Sequence, residues 1–266
     1  MAGENKERLI LVTNDDGLYA AGLRSLLNVM EEFGRVLLIS STESMSGMSQ
    51  ALTIKSPLRV KLLEQTDSRT VYACSGTPAD GVKIAMNKLL EREPDWVVSG
   101  INHGANSSVS VLYSGTMAAA IEGTLNGIDS VGFSLGNFSP AADFTASEHY
   151  VRMIMNMLAE NRLPRGVCLN VNIPPLPLEM IKGVKVCRQS DGNWREEFDK
   201  RKDPMGRTYY WLTGSFFNHE PEASDTDEWA LKNGFVSVVP VAVDMTAHTF
   251  IPTLKSKLKS EEVRQN

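Results

Sequence analysis

Cysteine is scarce: Cys74, Cys168 and Cys187 are the only three in 266 residues, and they are far apart with no C-x-x-C spacing. That excludes a disulfide framework and a zinc knuckle, and reads as small buried hydrophobes in a reducing compartment. Long apolar runs are missing as well. The charged start Met1 to Arg8 is followed only by the short run Leu9 to Val12, too brief for a signal segment or a membrane span. A cytoplasmic address and no membrane partner are therefore expected. Clustered positive charge is also lacking. With a formal net charge of -5 and no gathered Lys or Arg, a stable nucleic-acid partner is not expected, because backbone binding works through counterion release. A small anionic substrate stays compatible if a metal supplies local positive charge. Neither the phosphate loop G-x-x-x-x-G-K-[ST] nor the dinucleotide fingerprint G-x-G-x-x-G occurs, and no internal repeat or low-complexity tract is visible.

What is present is an alternation of short β-rich runs and helical patterns, which predicts an α/β fold with a mostly parallel sheet flanked by helices. Leu9 to Thr13 reads as a buried strand. Leu23, Leu26, Leu27, Met30 and Phe33 then recur at helical spacing up to Gly34, and Val36 to Ser40 returns as a strand. Residues 50–74 alternate around Pro57 and read as a β-hairpin insertion. Thr77, Pro78 and Asp80 spell a capped helix start. Further strands are expected at 95–99, 130–134 and 168–173, helices at 116–126 and 145–160, and a long polar loop at 101–113. Past Pro174 and Pro175 the pattern shifts to alternating segments between charged loops. The sheet is therefore read as ending there, giving a core over 1–175 and a smaller β-containing appendage over 176–266. Trp194, Trp211 and Trp229 concentrate aromatic area in the appendage and read as a dimer contact, a lid, or that appendage's own core. The tail from Lys255 reads as a frayed helix or a disordered segment.

Four loops that follow candidate strands carry the chemistry. Thr13-Asn14-Asp15-Asp16-Gly17 stands at the C-terminal end of the first strand, where open α/β sheets put ligands. Two adjacent carboxylates in a cleft raise one another's pKa unless a cation sits with them, and an oxygen-rich site suits magnesium, calcium or manganese. The alternative is a solvated helix start favoured by the dipole. Ser44 to Ser49 follows strand two. Ser99 to Asn106 brings Asn102 and Asn106 to the same edge, with His103 as acid, base or bystander. Tyr113-Ser114-Gly115-Thr116 opens a helix whose N-terminus can hold an anion, with plain capping by Thr116 as the rival use. Together they describe a metal beside a phosphate.

At these residues the chain resembles the SurE family of 5′/3′-nucleotidases. The matches are LVTNDDG, SGTPADGVK, VVSGIN with GAN, YSGTMAAAIEG, NVNIP and RQSDGNW, spread from Leu11 to Trp194. The resemblance implies a Rossmann-like core and a C-terminal arm used in homodimer or homotetramer formation. It also implies hydrolysis of nucleoside 5′-monophosphates, and of 3′-monophosphates, with one divalent ion per subunit, Mg or Mn. By position the metal ligands would be Asp15, Asp16, Ser46 and Asn102, and the phosphate would be held by Asn106, Ser114, Gly115 and Thr116. Ser107 to Ser110 and the pair Ser40-Ser41 depart from the family pattern, which bears on loop shape and substrate preference. The expected chemistry is attack of an activated water, with Asp15, Asp16 and Asn14 as the catalytic set. Aspartyl-phosphate formation is the rival, and it lacks the usual D-x-D because Asn14 stands where its first Asp would be. A non-catalytic nucleotide sensor is the alternative of a different class.

Overall fold

The computed structural model describes residues 7–262. Strand β1 (Leu9–Thr13) is buried along its whole length, and its side chains alternate between two cores. Ile10 and Val12 join Leu23, Leu26, Val98 and Ile154 on one face, whereas Leu11 joins Leu37, Ile39, Val82, Val97 and Ala119 on the other. A strand covered on both faces belongs in the middle of an α/β sheet. Helix α1 (Ala21–Met30) presents Leu23, Leu26, Leu27 and Met30 to the first core. The chain returns as β2 (Arg35–Ser41) past Gly34, where an added Cβ would lie 2.4 Å from the Arg8 carbonyl oxygen. Close backbone approach, rather than helix termination alone, therefore requires that glycine.

Strands β3 (Val60–Gln65) and β4 (Arg69–Cys74) form an antiparallel hairpin, and β4 pairs in parallel with β2. The hairpin read as an insertion thus continues the sheet at its edge, and residues 51–54 have no regular structure. Helix α2 (Pro78–Ile84) starts with the full reciprocal cap: the Thr77 hydroxyl accepts the Asp80 N–H, and the Asp80 carboxylate accepts the Thr77 N–H. It is followed by β5 (Trp96–His103), α3 (Gly115–Leu125), β6 (Asp129–Leu135), α4 (Thr145–Glu160) and β7 (Val167–Ile173). The stretch read as a loop from 101 is shorter than expected, because β5 runs on to His103 and a 3-10 turn covers Ser108–Leu112.

The sheet does not end at Pro175. After β8 (Val184–Val186), β9 (Gly192–Lys202), β10 (Thr208–Asn218) and α5 (Asp227–Lys232), strand β11 (Val236–Ala242) pairs antiparallel with β7 and parallel with β8. The cause is burial: Val236 and Val238 fill the same core as β1, α1 and α4. The nine-stranded order is β3-β4-β2-β1-β5-β6-β7-β11-β8. The part of the second segment that stands apart from the sheet is the two-stranded β9–β10 arm. The three tryptophans do not share a core: Trp194 and Trp211 lie on the arm, 40% and 59% exposed, and Trp229, on α5, stacks on Phe235. The tail forms helix α6 (Ile251–Glu262), and residues 263–266 lie outside the described residues. No described helix is long and apolar enough to cross a membrane.

The chain leaves β1 toward β2 on one side and later enters β5 on the other. The C-terminal end of β1 is therefore a switch point, the position at which open α/β sheets open a crevice.

Candidate active site

The residues after β1 form a tight turn built by Asn14 and Gly17. The Asn14 side chain is buried, donates through Nδ2 to the Gly17 carbonyl at 3.0 Å and accepts the Ser40 hydroxyl at 2.6 Å. Gly17 has φ +100°, and a Cβ there would lie 3.3 Å from the Glu43 backbone, so an L side chain is disfavoured on both counts. This turn aims Asp15 inward under the start of α3. Its carboxylate accepts the Thr116 hydroxyl at 2.5 Å and the backbone N–H groups of Gly115 and Thr116. The anion at the N-terminus of α3 is thus, in this structure, a side chain of the protein itself. Burial pushes the Asp15 pKa up, and these hydrogen bonds oppose the rise only in part.

Asp16 is half-buried and accepts the His103 N–H at 2.9 Å. Burial raises its pKa too, and the charge of Asp15 adds to the rise. No arginine or lysine among the described residues pairs with either carboxylate. The His103 ring packs edge-on against Phe144 at 5.1 Å, which explains its place in packing terms.

Asn102 lies on β5, one residue before His103, and is buried. Its Nδ2 donates to the Gly104 carbonyl at 2.7 Å, and no donor meets its Oδ1 among the described residues. Ser46 is exposed, with its hydroxyl 2.9 Å from that of Ser44. Its loop is pinned to the site at two points: the Met45 N–H donates to the Asp15 carbonyl at 2.7 Å, and the Ser49 N–H to the Tyr113 carbonyl at 3.2 Å. Ser114 caps α3 by accepting the Met117 N–H at 3.1 Å. The hydroxyls of Ser114 and Thr116, read from sequence as phosphate donors, are therefore both engaged within the protein, though Ser114 keeps its own proton to donate.

Two groups of positioning residues escaped the sequence reading. Asn170 and Asn172 on β7 hold the Asn106 segment. The Asn106 N–H donates to Asn172 Oδ1 at 2.7 Å, Asn170 Nδ2 to the Asn106 carbonyl at 2.8 Å, and Asn106 Nδ2 to the Ser134 hydroxyl at 2.8 Å. Polar residues alternating in a buried strand were the available signal. The second group is Asp227 and Glu228 at the start of α5. Fully buried Asp227 accepts the N–H groups of Ser108 at 2.8 Å and Ser190 at 2.9 Å, and Glu228 accepts the Ser107 hydroxyl. Asp227→Ala orphans those backbone donors and is expected to lower stability by about 2–5 kcal/mol, read as a drop in Tm. An unchanged Tm would show that water replaces the carboxylate without loss.

The structure thus joins Asp15, Asp16, the His103 backbone beside Asn102, and the turn Ser114 to Thr116, with Ser46 on a loop tied to them. The described residues contain no group of three or more His, Cys, Asp and Glu side chains able to hold a metal. The available donors are instead two carboxylates, a hydroxyl and an amide oxygen. Two desolvated carboxylates with no arginine or lysine beside them among the described residues, next to an amide oxygen that no donor among them meets, fit a hard divalent ion.

Comparison with known proteins finds similarity over most of the chain. A family model described as survival protein SurE matches residues 10–196. The 5′-nucleotidase SurE of Christiangramia forsetii is 52% identical over 253 residues, covering 94% of this chain and 97% of the relative. The protein of the same name from Bacteroides fragilis is 47% identical over 95% of this chain and 98% of its own length. The crystal structure of the SurE protein from Aquifex aeolicus superposes with a TM-score of 0.79 at 34% identity, covering 93% of this chain and 98% of the other.

Proposed function

The chain belongs to the SurE family, and on that premise we propose that it is a divalent-metal-dependent phosphomonoesterase that hydrolyses nucleoside 5′-monophosphates, and 3′-monophosphates as well, to nucleoside and phosphate. The observation that carries the reading is the adjacent pair at the switch point, Asp15 buried and Asp16 half-buried, held by backbone and hydroxyl donors with no arginine or lysine beside them among the described residues.

In this proposal Asp15, Asp16, the Ser46 hydroxyl and the Asn102 amide oxygen hold one Mg or Mn ion per chain. The chemistry supplied at such a point is Lewis-acid polarisation of a phosphoryl oxygen and activation of water at neutral pH. The protein groups do the rest. Gly115 and Thr116 fix Asp15, and Asn14 fixes the turn that carries both carboxylates, which makes it a positioning residue. Ser114 keeps a hydroxyl proton to donate toward a phosphoryl oxygen, and Asn106 retains a second Nδ2 hydrogen for the same use. Asp16, more open than Asp15, or a second water is the group suited to move a proton.

Further parts of the proposal are a cytoplasmic address, supported by three free, buried cysteines, and self-association into dimers or tetramers. The latter is supported by the exposed Phe198, Trp211 and Leu212 on the arm and Leu254 and Leu258 on α6. The testing experiment is a phosphate-release screen over 5′- and 3′-nucleoside monophosphates with Mn or Mg and with chelator. Metal-dependent release is expected. Nucleotide binding without release from any monoester would point to a nucleotide sensor instead.

A further inference from the structure

Beside the carboxylate cleft lies a slot of about 450 Å³, lined by Gly47, Tyr113, Trp194, Leu212, Thr213 and Gly214. Its volume is in the range of roughly 300–1,000 Å³ usual for small-ligand sites. It adjoins the proposed chemistry through the chain itself: Gly47 follows Ser46, and Tyr113 precedes Ser114. The same two loops are laced together by the Ser49 N–H to the Tyr113 carbonyl at 3.2 Å and by the Ser49 hydroxyl to the Leu112 carbonyl at 2.6 Å. The opposite wall comes from the arm, and Trp194 Nε1 donates to the Ser110 hydroxyl at 3.3 Å, which sets the indole against this edge of the body.

The lining has a definite chemistry. Among the described residues that line it none carries a charge, two are aromatic, and both rings remain accessible, Tyr113 at 53% and Trp194 at 40% exposure. Space over Gly47 is open, since a Cβ built there meets nothing within 4 Å. A flat, uncharged group with π-faces is the natural occupant of such walls, because base–aromatic stacking needs no matched hydrogen bonds.

Resting on the nucleotidase reading, we propose that the slot between Tyr113 and Trp194 receives the nucleobase while the phosphate lies at the Asp15–Asp16 end. The described lining side chains offer few groups to read a base edge: the Tyr113 hydroxyl is one, and the Trp194 N–H already donates to Ser110. The slot therefore accepts any base and favours purines through ring area alone.

The test compares adenosine 5′-monophosphate with ribose 5-phosphate, which carries the same phosphate and sugar but no base. In Trp194→Ala and in Tyr113→Ala, the ratio of kcat/KM for the nucleotide to that for the sugar phosphate is expected to fall about tenfold, mainly through KM. Trp194→Phe is expected to recover most of it. If the ratio stays at the wild-type value in both alanine variants, or both substrates lose rate equally, the base lies elsewhere and the inference is overturned with the nucleotidase reading intact. If wild-type protein releases phosphate from neither compound, the nucleotidase reading itself fails, and this inference with it.

Discussion

Asp15→Asn is expected to cut the rate of phosphate release on the order of 10³-fold, while the metal-free protein keeps its Tm or gains a few degrees. The loss follows from removing one of two charges that hold the ion, in a site where electrostatic stabilisation of the developing charge is the main catalytic resource. The stability half follows from the position of the side chain. Asp15 is buried, its pKa is raised by that burial, and no arginine or lysine among the described residues offsets it. For a carboxyl whose folded pKa is raised, the folded state binds the proton more tightly than the unfolded state does. The charged form therefore costs stability, the cost setting in as pH rises past the unfolded value and becoming full above the folded one. The neutral amide still accepts the Thr116 hydroxyl and escapes that cost. The Tm advantage of Asp15→Asn should be present at pH 7 and vanish below the ordinary carboxylate range. A variant that lost activity and melted far lower at pH 7 would point to a structural carboxylate instead.

Gly115→Ala is expected to lower kcat/KM by about 10²-fold, although alanine is the better helix former. A Cβ at this position would lie 2.7 Å from the Asp15 Cβ and 2.9 Å from its Oδ2. Asp15 has little room to retreat, because the Thr116 hydroxyl and two backbone N–H groups fix its carboxylate. Relieving the clash therefore breaks those hydrogen bonds and moves the carboxylate from its place. Misplacement on the scale of 1 Å is enough to cost a reaction about 10²-fold. Steady-state kinetics at saturating Mn distinguishes this from weak metal binding, because geometry lost at full occupancy appears in kcat. Wild-type kinetics in Gly115→Ala would mean that α3 shifts freely away from β1.

The carboxylate turn was legible in the chain because its determinants are local: a buried strand, two acids and a glycine at a left-handed φ stand within nine residues, Leu9 to Gly17. The α2 cap was legible for the same reason. Partners distant in sequence were not. Val236 and Val238 announce a strand, but nothing in their alternation says that it returns to β7 across the whole β9–β10 arm. Asp227 lies 119 residues from the Ser108 N–H that it accepts, and neither neighbourhood signals the other. The helix start at Ser114 to Thr116 was read as a phosphate site, and in the structure the Asp15 carboxylate accepts from it. A sequence gives the donors, and only the fold reveals that Asp15 of the same chain takes them.

Calorimetric titration of Mn into the metal-free protein and into Asp15→Asn, at pH 7.5 and again at pH 5, bears most directly on the paired carboxylates. Wild-type protein should bind one ion per chain, more weakly at pH 5 because protons compete for carboxylates of raised pKa, and Asp15→Asn should bind little at either pH. Equal binding by both proteins would contradict the assignment of the ion to Asp15 and Asp16.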